Sequence, residues 1–367
     1  MSARGPAPTV LATGRGAPGP TVPSRRVSVS VIVPCYNYAR YLAAAVTSAL
    51  DQRDADVEVI IVDDASTDDS LIVARSLVSR DPRVRLIEHT VNQGPVAAFN
   101  DGLAEANGEY LIRLDADDLL TPGSVARSTA LAEAFPSVSL VYGHPVHFWG
   151  SSVPRYRDRV RSWTVWSGSS WLELRCRLGV NCITSPEVLM RASTVREVGG
   201  QRDLAHTHDM EMWFRLALHG DVGWISGADQ AWHREHAASL SAREVDVLTD
   251  LRERRKAFDE LFRDNPDTPA VARLHQLALN ALANEAVARA SQAFFKGRGD
   301  SAEVVGYLGF ASSLGVDVEA LPHSPVLNRS RALGTARARY SPYLFARALA
   351  YRGTRELRTL RWKGTGL

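Results

Sequence analysis

The chain is short of the features that mark several large classes of protein. It has three cysteines, Cys35, Cys176 and Cys182, with neither a C-x-x-C pair nor a metal-ligand spacing. The odd, scattered set argues against a disulfide framework and reads as reduced core or loop residues. No run approaches the roughly 18 apolar residues of a transmembrane helix. Arg4 and Arg15 are followed by no apolar stretch of the kind a secretory leader needs. A cytoplasmic location is therefore expected. The net charge is +2 over 367 residues, so bulk charge argues neither for nor against nucleic acid. Large apolar residues are almost missing from residues 1–25, which are rich in Ala, Pro, Gly, Thr and Arg. Such a segment cannot offset its ordering entropy, and a disordered tail is expected. Gly14, Gly16 and Gly19 spell a literal G-x-G-x-x-G there, but its surroundings are not the strand-turn-helix that a dinucleotide fingerprint requires.

What is present is a core. Apolar residues make up 45% of the chain, and the length suits about two domains. Val27 to Val33 is a β-branched strand followed by Pro34-Cys35-Tyr36-Asn37, where proline is expected to stop the ladder. A helix follows from about Ala39 to Asp51, with Leu42, Val46, Ala49 and Leu50 on one face. Val57 to Val62 is a second strand, ending in Asp63-Asp64. Ser66 and Asp69 have the spacing of a capping box for the next helix, which runs to about Arg80. Asp63 and Asp64 precede that cap, and a carboxylate there can accept from a ribose hydroxyl or a base N–H. Val84 to Ile87 is a third strand, followed by Asn92-Gln93-Gly94 and a helix ending near Asn107-Gly108. Leu111-Ile112-Arg113-Leu114 then runs into Asp115-Ala116-Asp117-Asp118. Strands alternating with helices argue for a doubly wound parallel sheet, in which ligands bind at the strands' carboxyl ends. Three carboxylates gathered at one such end repel one another unless a cation lies among them. Hard oxygen ligands suit Mg²⁺ or Mn²⁺, which fills its other positions with water and substrate phosphate. Asp115 and Asp117 are the principal ligand candidates.

These motifs in this order resemble family 2 glycosyltransferases. The resemblance rests on Val29 to Asn37, Ile61 to Asp68, Asn92-x-Gly94, Gly108-Glu109-Tyr110 and Leu114 to Asp118, and covers about residues 27–240. It implies an α/β fold of GT-A type, a doubly wound and mostly parallel sheet flanked by helices. It also implies an inverting enzyme that uses a nucleoside-diphosphate sugar and a divalent metal. Carried over, Pro34 and Tyr36 line the nucleoside pocket, and Asp64 contacts the base. Asp115 and Asp117 form the D-x-D motif that engages ribose, metal and diphosphate. Phe99 stands where many members have Arg before an Asn.

Further along, Asp209 sits near the start of a helix carrying Met212, Trp213, Leu216 and Ala217. The helix dipole should keep it ionised there, as a general base must be. The resemblance assigns that role to Asp209, with His208 in place of the usual Glu; Glu211 is the rival carboxylate. His233-Arg234-Glu235-His236 resembles a Tyr-Arg-x-His segment, which would bring Arg234 and His236 to the diphosphate or metal. Trp149, Trp163, Trp166 and Trp171 are either core residues or platforms for an acceptor sugar.

From about Ser241 the pattern turns to long helices, a helical appendage spanning 241–328. Residues 329–367 hold ten Lys/Arg and one Glu interleaved with Tyr340, Tyr343, Phe345, Leu349, Leu357, Leu360 and Trp362. A basic amphipathic segment of this kind suits an anionic membrane surface, on the inner face of the plasma membrane. The expected partners are a nucleoside-diphosphate sugar and a glycan, lipid-linked or small-molecule acceptor, with no nucleic acid. The rival readings are a nucleotidyltransferase, which would want a Gly-rich loop after the first strand, and a catalytically silent sugar- or membrane-binding protein on the same fold.

Overall fold

The computed structural model describes residues 7–17, 25–236, 246–263 and 268–367. Its strands are β1 (Val10–Arg15), β2 (Ser28–Cys35), β3 (Asp56–Asp63), β4 (Val84–Glu88), β5 (Tyr110–Arg113), β6 (Leu119–Leu120), β7 (Val138–Trp149), β8 (Ser162–Trp166), β9 (Val188–Arg191) and β10 (Asp221–Glu235). They form one sheet in the order β1-β8-β10-β7-β9-β5-β2-β3-β4, with β6 paired to β10 off that path. β5, β2, β3 and β4 run parallel, as do β7 and β10. β9 lies antiparallel between β5 and β7. The carboxyl ends of β2, β3, β5, β7 and β10 therefore share one edge.

The crossover helices α1 (Ala39–Leu50), α2 (Ser70–Arg80) and α3 (Pro95–Ala104) cover the parallel half. α1 buries Leu42, Ala45, Val46 and Ala49 at helical spacing. β2 continues through Pro34 to Cys35, paired with β3 up to Asp63. The proline thus lies inside the ladder rather than ending it. Gly108 shows why the turn into β5 needs glycine: a Cβ there would lie 2.5 Å from the Ser30 backbone nitrogen.

The expected disordered tail contains an edge strand. β1 pairs antiparallel with β8, from Val10 opposite Trp166 to Arg15 opposite Ser162. Val10 and Leu11 stay exposed, so burial does not hold this strand. Backbone pairing does, together with the Trp163 indole lying against Gly14, where a Cβ would come within 2.5 Å. Composition registers neither. Gly19 and the expected 240/241 boundary lie outside the described residues.

The remaining helices are α4 (Ser124–Ala134), α5 (Gly168–Leu178), α6 (Ala192–Val198), α7 (His208–His219), α8 (Val247–Arg263), α9 (Pro269–Phe295), α10 (Ala302–Ser312), α11 (Ser324–Ala338) and α12 (Pro342–Thr365). One apolar core runs from Ile32, Tyr142 and Trp171 through Phe214 and Phe258 to Leu282, Phe310 and Leu327. The Phe214 and Phe258 rings stack at 5.6 Å, joining α7 to α8. The C-terminal helices are therefore continuous with the sheet's own packing, and the expected 328/329 boundary falls inside α11. Trp166 on β8 and Trp171 on α5 are core residues. Trp149 is exposed. All three cysteines are unpaired thiols, with Cys35 and Cys176 buried.

Candidate active site

The loops after β2 and β3 are stitched together. Asn37 takes a left-handed φ of 62°, and its side-chain oxygen accepts from the N–H groups of Thr67 and Asp68 at 2.7 and 3.2 Å. Ser66 Oγ accepts from Asn37 N at 3.0 Å, and Asp68 accepts from the N–H groups of Ala39 and Ser70. The expected capping box is absent: α2 begins at Ser70 with Asp69 as N-cap and no side-chain cap bond. Ser66 is instead used to bind the two loops. Tyr36 projects from this junction 43% exposed, while Pro34 is buried beneath it.

Asp64 is buried, and its carboxylate is taken up by the chain itself. Oδ1 meets His89 Nδ1 and Gln93 N at 2.8 Å, and Oδ2 accepts from Gly94 N at 2.8 Å. Gly94 has a φ of 91° and is the N-cap of α3. Asn92 donates to the Asp64 carbonyl at 3.2 Å. The Asn92-x-Gly94 motif is thus the clamp on Asp64. In this conformation Asp64 shapes the pocket wall rather than offering a free oxygen to a base. Asp64→Ala is expected to cost about 1–3 kcal/mol of stability in urea unfolding without any nucleotide, because the buried His89 ring and the N–H groups of Gln93 and Gly94 lose a charged acceptor. A variant as stable as the wild type would leave base contact as the role of Asp64.

Where β5 ends, the three carboxylates are held in three different ways. Asp115 Oδ1 accepts from Arg113 Nε at 2.9 Å. Burial works against its ionisation, but the Arg113 guanidinium holds its carboxyl below the usual range. Asp117 Oδ2 lies 2.8 Å from His236 Nε2, and burial with the nearby Asp115 charge pushes its pKa up. Asp118 is buried, accepting from Arg234 N at 2.7 Å and facing His233 Nδ1 at 3.0 Å. Burial opposes protonation of His233, but the bond to Asp118 outweighs it and lifts the imidazole to about 9. Burial in turn pushes the Asp118 carboxyl up to about 7, so His233 and Asp118 form a hydrogen-bonded pair that holds a proton between them behind the D-x-D residues.

Arg113 is itself positioned. Its Nη1 donates to Gln201 Oε1 at 2.5 Å, and its guanidinium lies over the buried Phe99 ring at 5.7 Å. Asn100 holds the Gln201 backbone through both its N–H and its C=O at 2.8 Å. The Phe99-Asn100 pair thus packs and braces the arginine that tunes Asp115.

Asp209 is the second residue of α7, after the N-cap Thr207. Its Oδ1 accepts from Met210 N at 2.6 Å. The dipole argument alone expects a low pKa. Burial outweighs it, and with the nearby Asp115 charge raises the carboxyl to about 6. His208 is driven the other way by burial and the Arg113 charge, to about 4, so it is neutral at physiological pH. The rival Glu211 is engaged elsewhere. It is 0% exposed and bidentate on Arg215, both contacts at 2.8 Å. That arginine in turn donates to the carbonyls of Val198, Gly199 and Gly200.

Arg234 does not face the pocket as expected. It is buried, donating from Nε to the Asp117 carbonyl at 3.0 Å and from Nη1 to the Gly150 carbonyl. Its guanidinium lies 4.5 Å from both the Tyr41 and the Phe148 rings. It is a clamp that sets the Asp117-Asp118 turn against β10. His236 does reach the site, between Tyr38 and Tyr41 at ring separations of 5.9 and 5.8 Å.

The donor set fits a hard divalent cation. Two neighbouring ligands on an octahedral ion with bonds of about 2.1 Å lie about 3 Å apart, close to the 2.8 Å between Asp117 Oδ2 and His236 Nε2. Among the described residues no group of three or more His, Cys, Asp or Glu is placed to hold a metal. One carboxylate, with diphosphate and water completing the shell, matches the habit of Mg²⁺, and the His236 imidazole would be an added donor beside it.

The model of the glycosyl transferase family 2 matches residues 30–194. The Bacillus subtilis protein EpsE, which carries a glycosyltransferase name, is 30% identical over 205 residues, 53% of this chain and 69% of that protein. The chain belongs to glycosyl transferase family 2. Its fold is shared with two solved structures. One is Staphylococcus aureus TarS 1–349 in complex with UDP-GlcNAc, at TM-score 0.57 and 18% identity, covering 85% of this chain and 89% of that one. The other is the Pyrobaculum calidifontis mannosyltransferase PcManGT in complex with GDP-Man and Mn²⁺, at TM-score 0.51 and 19% identity, covering 86% and 83%. The chain spans 37% and 35% of the length of the first curated relatives it matches.

For this family 2 member, sequence reasoning missed Tyr38, Tyr41 and Arg113, and read His233 only as a substitution for Tyr. The Tyr38-x-x-Tyr41 spacing at a helix start, directly after the Tyr36 loop, is the signal that could have found the first two. Arg113 inside an apolar strand, two residues before Asp115, is the signal for the third.

Proposed function

We propose that this protein is an inverting glycosyltransferase that moves a sugar from a nucleoside-diphosphate sugar to an acceptor hydroxyl, in the synthesis of a glycan, cell-surface polysaccharide or glycolipid. The observation that carries this is the opposite displacement of two carboxylates in one site. Asp115 is held below the usual range beside Arg113, and Asp209 is lifted to about 6. Such a split separates a permanently charged group from a proton acceptor. Asp209 then takes the proton from the acceptor hydroxyl as its oxygen attacks C1 of the sugar. Attack opposite the departing diphosphate inverts the anomeric centre. Asp115 meets the ribose and diphosphate side, and Tyr36 lies against the base. Asp117 and His236 would hold Mg²⁺ or Mn²⁺, which when bound neutralises charge building on the leaving diphosphate. His233 paired with Asp118 and the Arg234 clamp keep the carboxylate turn in place. The UDP-GlcNAc, GDP-Man and Mn²⁺ of the two structural neighbours agree with this donor class.

The test is a thermal-shift series with UDP, GDP and dTDP and their sugars, with and without Mn²⁺. One base should raise the Tm, more so with metal, and Asp117→Ala should remove the metal-dependent part. No shift with any nucleotide in either condition overturns the donor-site assignment.

A further inference from the structure

α12 is held at both ends and bare between them. At its start, Leu344 is buried, the Phe345 and Phe295 rings lie 6.1 Å apart, and Tyr351 meets His323 at 5.7 Å, which seats the helix on α9 and the start of α11. At its end, Tyr142 Oη donates to the Gly366 carbonyl. The Trp362 ring stands 4.6 Å from His144, whose Nε2 meets the Lys363 carbonyl at 3.1 Å. The second anchor is β7 of the sheet itself, and α9 shares one apolar core with that sheet, so the helix has a fixed orientation to the active site.

Beyond that start the outer face is bare among the described residues. Leu349 (51%), Leu357 (64%) and Leu360 (65%) are exposed. Their spacing of eight and three residues places them on one stripe, and the buried Leu344 lies outside it. Arg347, Arg352, Arg358, Arg361 and Lys363 are exposed around that stripe. Residues 342–365 carry six Lys/Arg and one Glu. A row of bare leucines is a cost in water unless something covers it. Apolar side chains rimmed by arginine match the boundary between acyl chains and anionic headgroups. An acidic protein groove would satisfy the charges, but it would not need leucines spread over about three turns of helix. No helix among the described residues is long and apolar enough to cross a membrane.

We propose that the outer stripe of α12 docks this protein in the plane of an anionic lipid surface. The docked end lies beside the site. Lys363 is one turn beyond Leu360, about 5 Å along the axis, and its charge acts on His147, whose ring is 5.0 Å from that of His233. Docking would therefore present the catalytic edge to an acceptor carried in the same surface.

The experiment is co-sedimentation of the full chain with mixed phosphatidylcholine–phosphatidylglycerol vesicles and with vesicles of phosphatidylcholine alone. The wild type should pellet with the mixed vesicles only, and high salt should release it. Leu357→Glu/Leu360→Glu should lower partitioning at least roughly tenfold. Both side chains are mostly exposed, so Tm and nucleotide binding should not change, which keeps this test separate from that of the donor site. The proposal is overturned if the wild type stays in solution with both vesicles, or binds both equally. Equal binding by the double variant also overturns it. Wild-type dimers that the double variant converts to monomers, with no vesicle binding, would assign the stripe to a second copy instead.

Discussion

Asp209→Asn is expected to lower kcat by about 10²–10⁴-fold while leaving the nucleotide-sugar Kd unchanged, since it removes only the proton acceptor. The same change should stabilise the metal-free protein at pH 8. The carboxyl stands at about 6 in the fold, against about 3.9 in an unfolded chain. A raised folded pKa means that the fold favours the protonated form. The penalty for ionised Asp209 is absent below about pH 4, grows as pH rises to 6, and is constant above it. Asn carries no such penalty, so the gain at pH 8 is at most about 3 kcal/mol and disappears at pH 4. Denaturant melts of both proteins at the two pH values read this directly. In the wild type, the rate should fall on the acid side with a midpoint near 6 as the base becomes protonated. A variant that keeps wild-type kcat would remove Asp209 from catalysis. One that is inactive but destabilised at pH 8 would contradict the burial argument.

Glu211→Ala should behave in the opposite way. The carboxylate is wholly buried and paired with Arg215, so its removal strands a guanidinium in the core. Breaking a buried pair in this manner costs about 3–5 kcal/mol. The damage should reach the site through a defined route. Arg215 holds the carbonyls of Val198, Gly199 and Gly200, the next residue, Gln201, holds Arg113, and Arg113 holds Asp115. A large drop in Tm, with any remaining activity showing a raised donor KM, is the expected result. A variant of unchanged Tm that has lost turnover would instead make Glu211 the base. The pair of substitutions thus separates two carboxylates two residues apart on one helix.

The local pattern already held most of the parallel half. Strands of β-branched residues, helices of 3.6-residue period and polar turns at strand ends placed β2, β3, β4 and β5 to within about two residues. Those signals are local, since each depends on which neighbours are apolar. The same is true of the Asp115-Ala116-Asp117 turn, whose chemistry is visible because carboxylates crowded at one strand end repel one another until a cation joins them. The edge strand β1 was not legible, because its support is backbone pairing to β8 and one tryptophan 149 residues later in sequence.

Sequence alone determined the family, the parallel half of the sheet, the D-x-D turn and the candidacy of Asp209. Tertiary structure decided what each charged group is free to do. Asp64 and Arg234 looked available, yet both are consumed by backbone partners from distant segments. Glu211 stood as a rival to Asp209, yet Asp209 lies near Asp115 while Glu211 is spent on Arg215. The basic C-terminal segment was legible as amphipathic, but only the fold anchors α12 at both ends and turns Leu349, Leu357 and Leu360 outward. The reason is the same in each case. A residue type states what a side chain can bind, while burial and the charges brought beside it by long-range packing set which partner it has and whether it holds a proton.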